Sequence, residues 1–201
     1  MFDDNLVTNV LNSSYMKRWT QLDTAHEGRF VQWYSTQLES NVDEYSWPRD
    51  MLRVMKVEYV SEDGTKTPLR RNERHYGNIN PDTSFPDAAP YTYKPVKGGY
   101  LLEPRPQSGA GSIRVEFVKM PDSLANDADE IDADFPEIFG ELIVLDAVVA
   151  LIDSEGQLED GSAKAVLRQR EEWDREWRRY INRLVTSANE IVQWNPHYDN
   201  A

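Results

Sequence analysis

With 201 residues, a hydrophobic share of 39% and no cysteine, the chain is long enough to bury a core unaided, and thiol chemistry, cysteine-type zinc centres and disulfide scaffolds are excluded. Six Trp and ten Tyr are too many for a disordered chain. Thirty-five acidic against 22 basic side chains leave a net charge of −13, the wrong sign for general nucleic-acid binding, which needs clustered Lys and Arg to neutralise phosphate.

Along the chain, Leu6, Val7, Val10, Leu11, Tyr15, Trp19 and Leu22 recur at steps of three and four behind Asp3 and Asp4, which predicts an amphipathic helix over 3–24. From Gly28 the pattern turns to strand formers, Phe30, Val31, Trp33, Tyr34 and Thr36. Met51 to Val60 alternates as a strand, Glu62-Asp63-Gly64 supplies a turn, and Pro68-Leu69 resumes an extended path. Six of the 11 prolines fall between Pro81 and Pro106, so 72–98 reads as a long irregular loop whose Tyr76, Phe85, Tyr91 and Tyr93 favour an ordered surface. Gly99 to Glu103 is a short strand, and Ile113, Val115 and Phe117 alternate with Arg114 and Glu116 in another, giving a small antiparallel sheet in a β-rich insertion over 29–119.

Two helices are predicted to follow. Asp134-Phe135-Pro136-Glu137 has the chemistry of a helix start, and the apolar run from Leu142 to Ile152 makes 135–153 the core helix. Over 162–186, Ala163, Val166, Arg170, Trp173, Trp177, Tyr180 and Leu184 form a heptad-like seam, with a mixed-charge face opposite, and the Trp173 and Trp177 pair reads as core rather than as a ligand box. The remainder, 187–201, is a tail whose Ile191, Val192, Trp194, His197 and Tyr198 suit docking onto something else. The fold class expected is α+β: one domain over 1–186, mainly a helical bundle of an N-terminal helix and two long C-terminal helices, with a small antiparallel β insertion and a long proline-rich loop.

Charge is concentrated between Asp122 and Asp160, where 13 Asp or Glu occur with no Lys or Arg. Within it, Asp127, Asp129, Asp132 and Asp134 lack the glycine and the closing glutamate of a calcium loop. His26, His75 and His197 are too scattered for a zinc site, and no glycine-rich phosphate loop is present. Glu137 and Glu141 stand one helical turn apart, which leaves a carboxylate-based glycan hydrolase as an alternative, but no catalytic, metal-binding or cofactor-binding residue is assigned and no enzyme is expected. Met1-Phe2-Asp3-Asp4 shows no secretory pattern, and the apolar run at 142–152 is shorter than the about 20 residues of a membrane span, so no membrane role is expected.

The order of motifs resembles the head-to-tail adaptor, or connector, proteins of tailed bacteriophages. It rests on Tyr45-Ser46-Trp47-Pro48-Arg49-Asp50 leading into Met51-Leu52-Arg53-Val54, on Gly99 to Pro106 (GYLLEPRP) followed by Ile113 to Phe117, and on Met120-Pro121-Asp122-Ser123-Leu124, an acidic linker and Phe135-Pro136-Glu137-Ile138. The resemblance implies a structural virion protein of the neck, assembled in the host cytoplasm. It implies a ring, commonly of 12 copies, that sits on the portal protein, extends the DNA channel and receives a tail nozzle or other tail proteins, with double-stranded DNA passing through unbound. By position, the segment from Ile191 to Tyr198 would lie along the portal, and the loop surface of Tyr76, Phe85, Tyr91 and Tyr93 would face the tail or contact a neighbouring subunit. Another neck or tail-completion protein is the alternative within the same virion.

Overall fold

The computed structural model describes residues 3–26, 28–72, 89–126, 128–155 and 161–193. They form three α-helices and eight strands in two sheets, and the chain divides into two compact units, 1–30 with 120–201 and, between them, 31–119.

The first unit is helical: α1 (Asp4–Ala25), α2 (Gly140–Glu155) and α3 (Gly161–Gln193). Asp3 caps α1 by accepting the Asn5 N–H, as its place before the first turn requires. The second half of α1 is the buried half, with Tyr15, Trp19 and Leu22 almost fully enclosed. Trp19 stacks on Phe30 at 3.6 Å between ring centroids, and Tyr15 meets Trp19 and Phe135 edge to face at 5.9 and 5.5 Å. Phe135 and Phe139 continue the column onto Trp177 of α3. Trp177 is therefore core, as its spacing predicted.

The acidic stretch before α2 is pinned by polar groups of α1. Asn12 donates from Nδ2 to the Leu124 carbonyl and accepts the Leu124 N–H, both at 2.8 Å, and the Tyr15 hydroxyl accepts the Asp132 N–H at 2.9 Å. These contacts satisfy backbone groups that a short loop leaves open.

Among the described residues of the second unit every regular element is a strand. One sheet has the order β1-β8-β3-β4, built from β1 (Val31–Gln37), β8 (Ser112–Lys119), β3 (Met51–Val60) and β4 (Lys66–Pro68). The other has the order β2-β7-β6-β5, built from β2 (Glu44–Ser46), β7 (Gly99–Glu103), β6 (Thr92–Val96) and β5 (Arg70–Arg71). Val57, Ile113, Val115 and Phe117 of the first sheet and Tyr45, Tyr93, Tyr100 and Leu102 of the second share one buried core. Alternation along each strand sends the intervening Arg114 and Glu116 to the other face.

Three expectations are corrected. The chain is not a mainly helical bundle with two long C-terminal helices: the described residues are 27% strand and 41% helix, and the β segment closes a core of its own because both sheets turn an apolar face inward. Of the C-terminal helices only α3, at 33 residues, is long. Pro136 stays extended at ψ 110°, so the chain makes a 3-10 turn over Glu137–Phe139 before α2 starts at Gly140. The segment 72–98 is not irregular throughout, since Thr92–Val96 is β6. Pro95 is tolerated there because β5 pairs only with Thr92 and Tyr93, leaving Pro95 beyond that pairing.

Candidate functional site

Each helix of the first unit carries a charged residue on its buried side. Arg18 of α1, Asp146 of α2 and Asp174 of α3 are each less than a tenth exposed. Arg18 reaches Asp146 Oδ2 from Nε at 2.7 Å and from Nη2 at 2.6 Å, and donates from Nη1 to Asp174 Oδ1 at 2.9 Å. Arg170 holds the second oxygen of Asp146 at 2.8 Å, and Arg178 holds the second oxygen of Asp174 at 2.8 Å. Gln21 joins the network by accepting from Arg18 at 3.2 Å and from the Trp177 indole at 2.9 Å.

This arrangement keeps its charges fixed. Burial alone would raise the Asp174 carboxyl, but the hydrogen bond and charge of Arg18, with Arg178 and Arg170 beyond, hold it below the ordinary carboxylate range. The Asp146 hydrogen bond likewise raises the Arg170 guanidinium. A general acid needs the opposite shift in its carboxyl, so this carboxylate is suited to ion pairing and not to glycan hydrolysis.

Above the network a cleft of about 830 Å³ opens between α1 and α3, with Lys17, Arg18, Arg170 and Arg178 against the single carboxylate of Asp174, and with Ile181 and Val185 on its apolar wall. Of the other acidic candidates, Asp127 lies outside the described residues, and Asp129, Asp132 and Glu141 have local partners. Asp129 accepts the Ala125 and Asn126 N–H groups at 2.6 and 2.8 Å, which lowers its pKa, and Asp132 accepts from Asp134 at 3.0 Å. Glu141 accepts from Gln169 of α3 at 2.5 Å. Among the described residues no group of three or more His, Asp or Glu side chains is placed to hold a metal, and no helix is long and apolar enough to cross a membrane.

The residues singled out for docking are distributed as follows. Tyr91 is 57% exposed, immediately before β6. Tyr93, two residues on, is buried against Trp47 and Tyr100 in the sheet core. Ile191 and Val192 lie on the last turn of α3, which ends at Gln193, seven residues past the predicted end at 186. Tyr76, Phe85, Trp194, His197 and Tyr198 lie outside the described residues. Sequence reasoning missed the ion network, although its signal was present: Arg18 beside Trp19 on the apolar face of α1, Asp146 interrupting the apolar run of α2, and Arg170 within the seam of α3.

A fold of two separate cores, one of them holding a buried ion network beside an open cleft, defines an interaction subunit more readily than a catalytic centre. The comparison with known families makes this specific. The family model described as SU10 adaptor protein matches residues 9–197, and the chain belongs to that family, a family of phage head-to-tail adaptors. Membership makes it a structural phage adaptor and a component of the virion neck, where portal and tail proteins meet. No curated protein matches the sequence.

Proposed function

We propose that the protein is the adaptor subunit that assembles as a ring on the portal, extends the DNA channel and offers the platform to which the tail attaches. The observation that carries this reading is the family match across residues 9–197, which spans both units. A ring of 12 copies is the arrangement the reading entails. A net charge of −13 suits a channel wall, because like-charge repulsion lets DNA slide without sticking.

Within this reading, Ile191, Val192, Trp194, His197 and Tyr198 dock along the portal. Tyr76, Phe85 and the exposed Tyr91 form the side that meets a neighbour or the tail nozzle, with Tyr93 anchoring that segment in the sheet core. Assembly takes place in the host cytoplasm and requires no catalytic step.

The test is the mass, by light scattering, of the purified protein alone and after mixing with the portal ring of the same virus. A stable complex with many copies per ring is expected. A persistent monomer that never joins the portal would overturn the proposal.

A further inference from the structure

Two unlike surfaces of the helical unit match each other in charge and in apolar content. The first is the α1–α3 cleft. Its four cations outnumber the carboxylates of Asp174 and of Asp146 behind it, so in a chain of net charge −13 this wall is locally positive. The Arg178 side chain is 76% exposed at its rim, and Val185, 41% exposed, gives it an apolar lip.

The second surface is the start of α2. Ile138 is 66% exposed, the most of any large apolar side chain among the described residues, and Val144 is 51% exposed. Glu137 and Glu141, both exposed, flank them, and the spacing of 137, 141 and 144 sets these residues on one side of the helix start. An exposed apolar pair framed by carboxylates is what a cleft with an apolar lip and a cationic rim would bind.

The two surfaces lie on different flanks of α3. Arg18 of α1 reaches Asp174 on one flank, whereas Glu141 reaches Gln169 and Phe139 meets Trp173 on another, with Trp177 between them, touched by Gln21 from one side and by Phe139 from the other. One subunit therefore presents both halves of a contact in different directions, the condition for a heterologous interface that repeats until it closes.

We infer that the α1–α3 cleft of one subunit receives the acidic, apolar knob formed by Glu137, Ile138, Glu141 and Val144 of a second copy, an inference that rests on the ring reading and assigns its subunit contact. Ile138 and Val144 cover the apolar wall at Ile181 and Val185, while Glu137 and Glu141 face Lys17 and Arg178. The contact weakens as salt rises, because the rim charges are exposed.

The absence of cysteine makes the test direct. The full chain carrying Ile138→Cys and Val185→Cys together is assembled on the portal ring of the same virus and treated with a short bis-maleimide. The expected product is a ladder of cross-linked copies, with no ladder from either single variant. In parallel, Ile138→Asp should weaken multi-copy assembly by about tenfold with its helical circular dichroism unchanged, since that side chain lies on the surface. Glu137→Lys should weaken it comparably, and Lys17→Glu in the same chain should restore part of the loss.

Wild-type assembly in many copies without a ladder overturns the inference and leaves the ring reading standing, whatever the Ile138→Asp variant does. Cross-links to portal subunits in place of the ladder overturn it by assigning the cleft to the portal. Wild-type protein that never assembles in many copies overturns the ring reading, and this inference with it.

Discussion

Replacing Arg18 by methionine tests whether the buried ion network holds the three helices together. Arg18 contributes three of the five contacts that bind the carboxylates of Asp146 and Asp174 to guanidinium groups, at 2.6 to 2.9 Å, and its side chain is 2% exposed. Breaking a buried pair by removing one partner costs about 3–5 kcal/mol, because the other charge stays buried and uncompensated. Here each carboxylate keeps one further guanidinium, Arg170 for Asp146 and Arg178 for Asp174, so the lower end, about 3 kcal/mol, is expected. Urea unfolding followed at 222 nm isolates the effect, since among the described residues all three helices belong to one unit and the other contributes strands. Adding Asp146→Leu to Arg18→Met should recover about 1 kcal/mol or more, as the buried, half-compensated carboxylate is then gone and the Arg170 guanidinium it leaves is 30% exposed and can be hydrated. A loss below about 0.5 kcal/mol for Arg18→Met, the size of an ordinary surface change, would refute the reasoning.

The depressed Asp174 gives a pH signature of known sign. Its folded-state pKa lies below the unfolded one, so its contribution is complete above the ordinary Asp value of about 3.9 and is lost as pH falls through the lower folded value. Asp174→Asn should therefore shrink the difference in urea midpoint between pH 7 and pH 3, and an unchanged difference would remove that assignment. Ile143→Asp should prevent soluble folding by placing a charge at a fully buried site, whereas Val144→Asp, one residue on and half exposed, should express normally. Gly99→Ala should destabilise the sheet unit by about 3 kcal/mol, because a methyl group there would collide with the Tyr45 carbonyl oxygen; near-ultraviolet circular dichroism of the clustered tyrosines reads this. Trp194→Ala should weaken portal binding by about 2 kcal/mol without moving the urea midpoint, and equal affinity would remove the tail from the docking surface.

Periodicity sufficed where one face of an element is buried. The bounds of β3 and β7 are those predicted from alternation and turn residues, and α1 departs by one residue at each end. What periodicity could not convey is how many cores the chain builds. Tyr45, Tyr93 and Tyr100 come from separate short segments, and only their meeting around Val57 and Val115 shows that the strands close on themselves. Proline was also given too much weight: its missing donor forbids a central ladder position but not the place of Pro95 beyond the short β5 pairing. In the site, charges on apolar faces were each visible singly, yet the sequence separation of 128 residues between Arg18 and Asp146 hid that they meet.

The pairing of Val31 with Val118 has a consequence for how such a protein can change over time. The first and last strands of the sheet unit are hydrogen-bonded neighbours, so the chain leaves the helical unit and returns to it about one strand spacing away, roughly 5 Å. A linker of a few residues could replace the whole of 31–119 without asking Phe30 and Met120 to move far apart or together. The helical unit, interrupted in sequence, is thus continuous in space, and the sheet unit behaves as a cassette that can be exchanged, enlarged or lost while the helices keep their core.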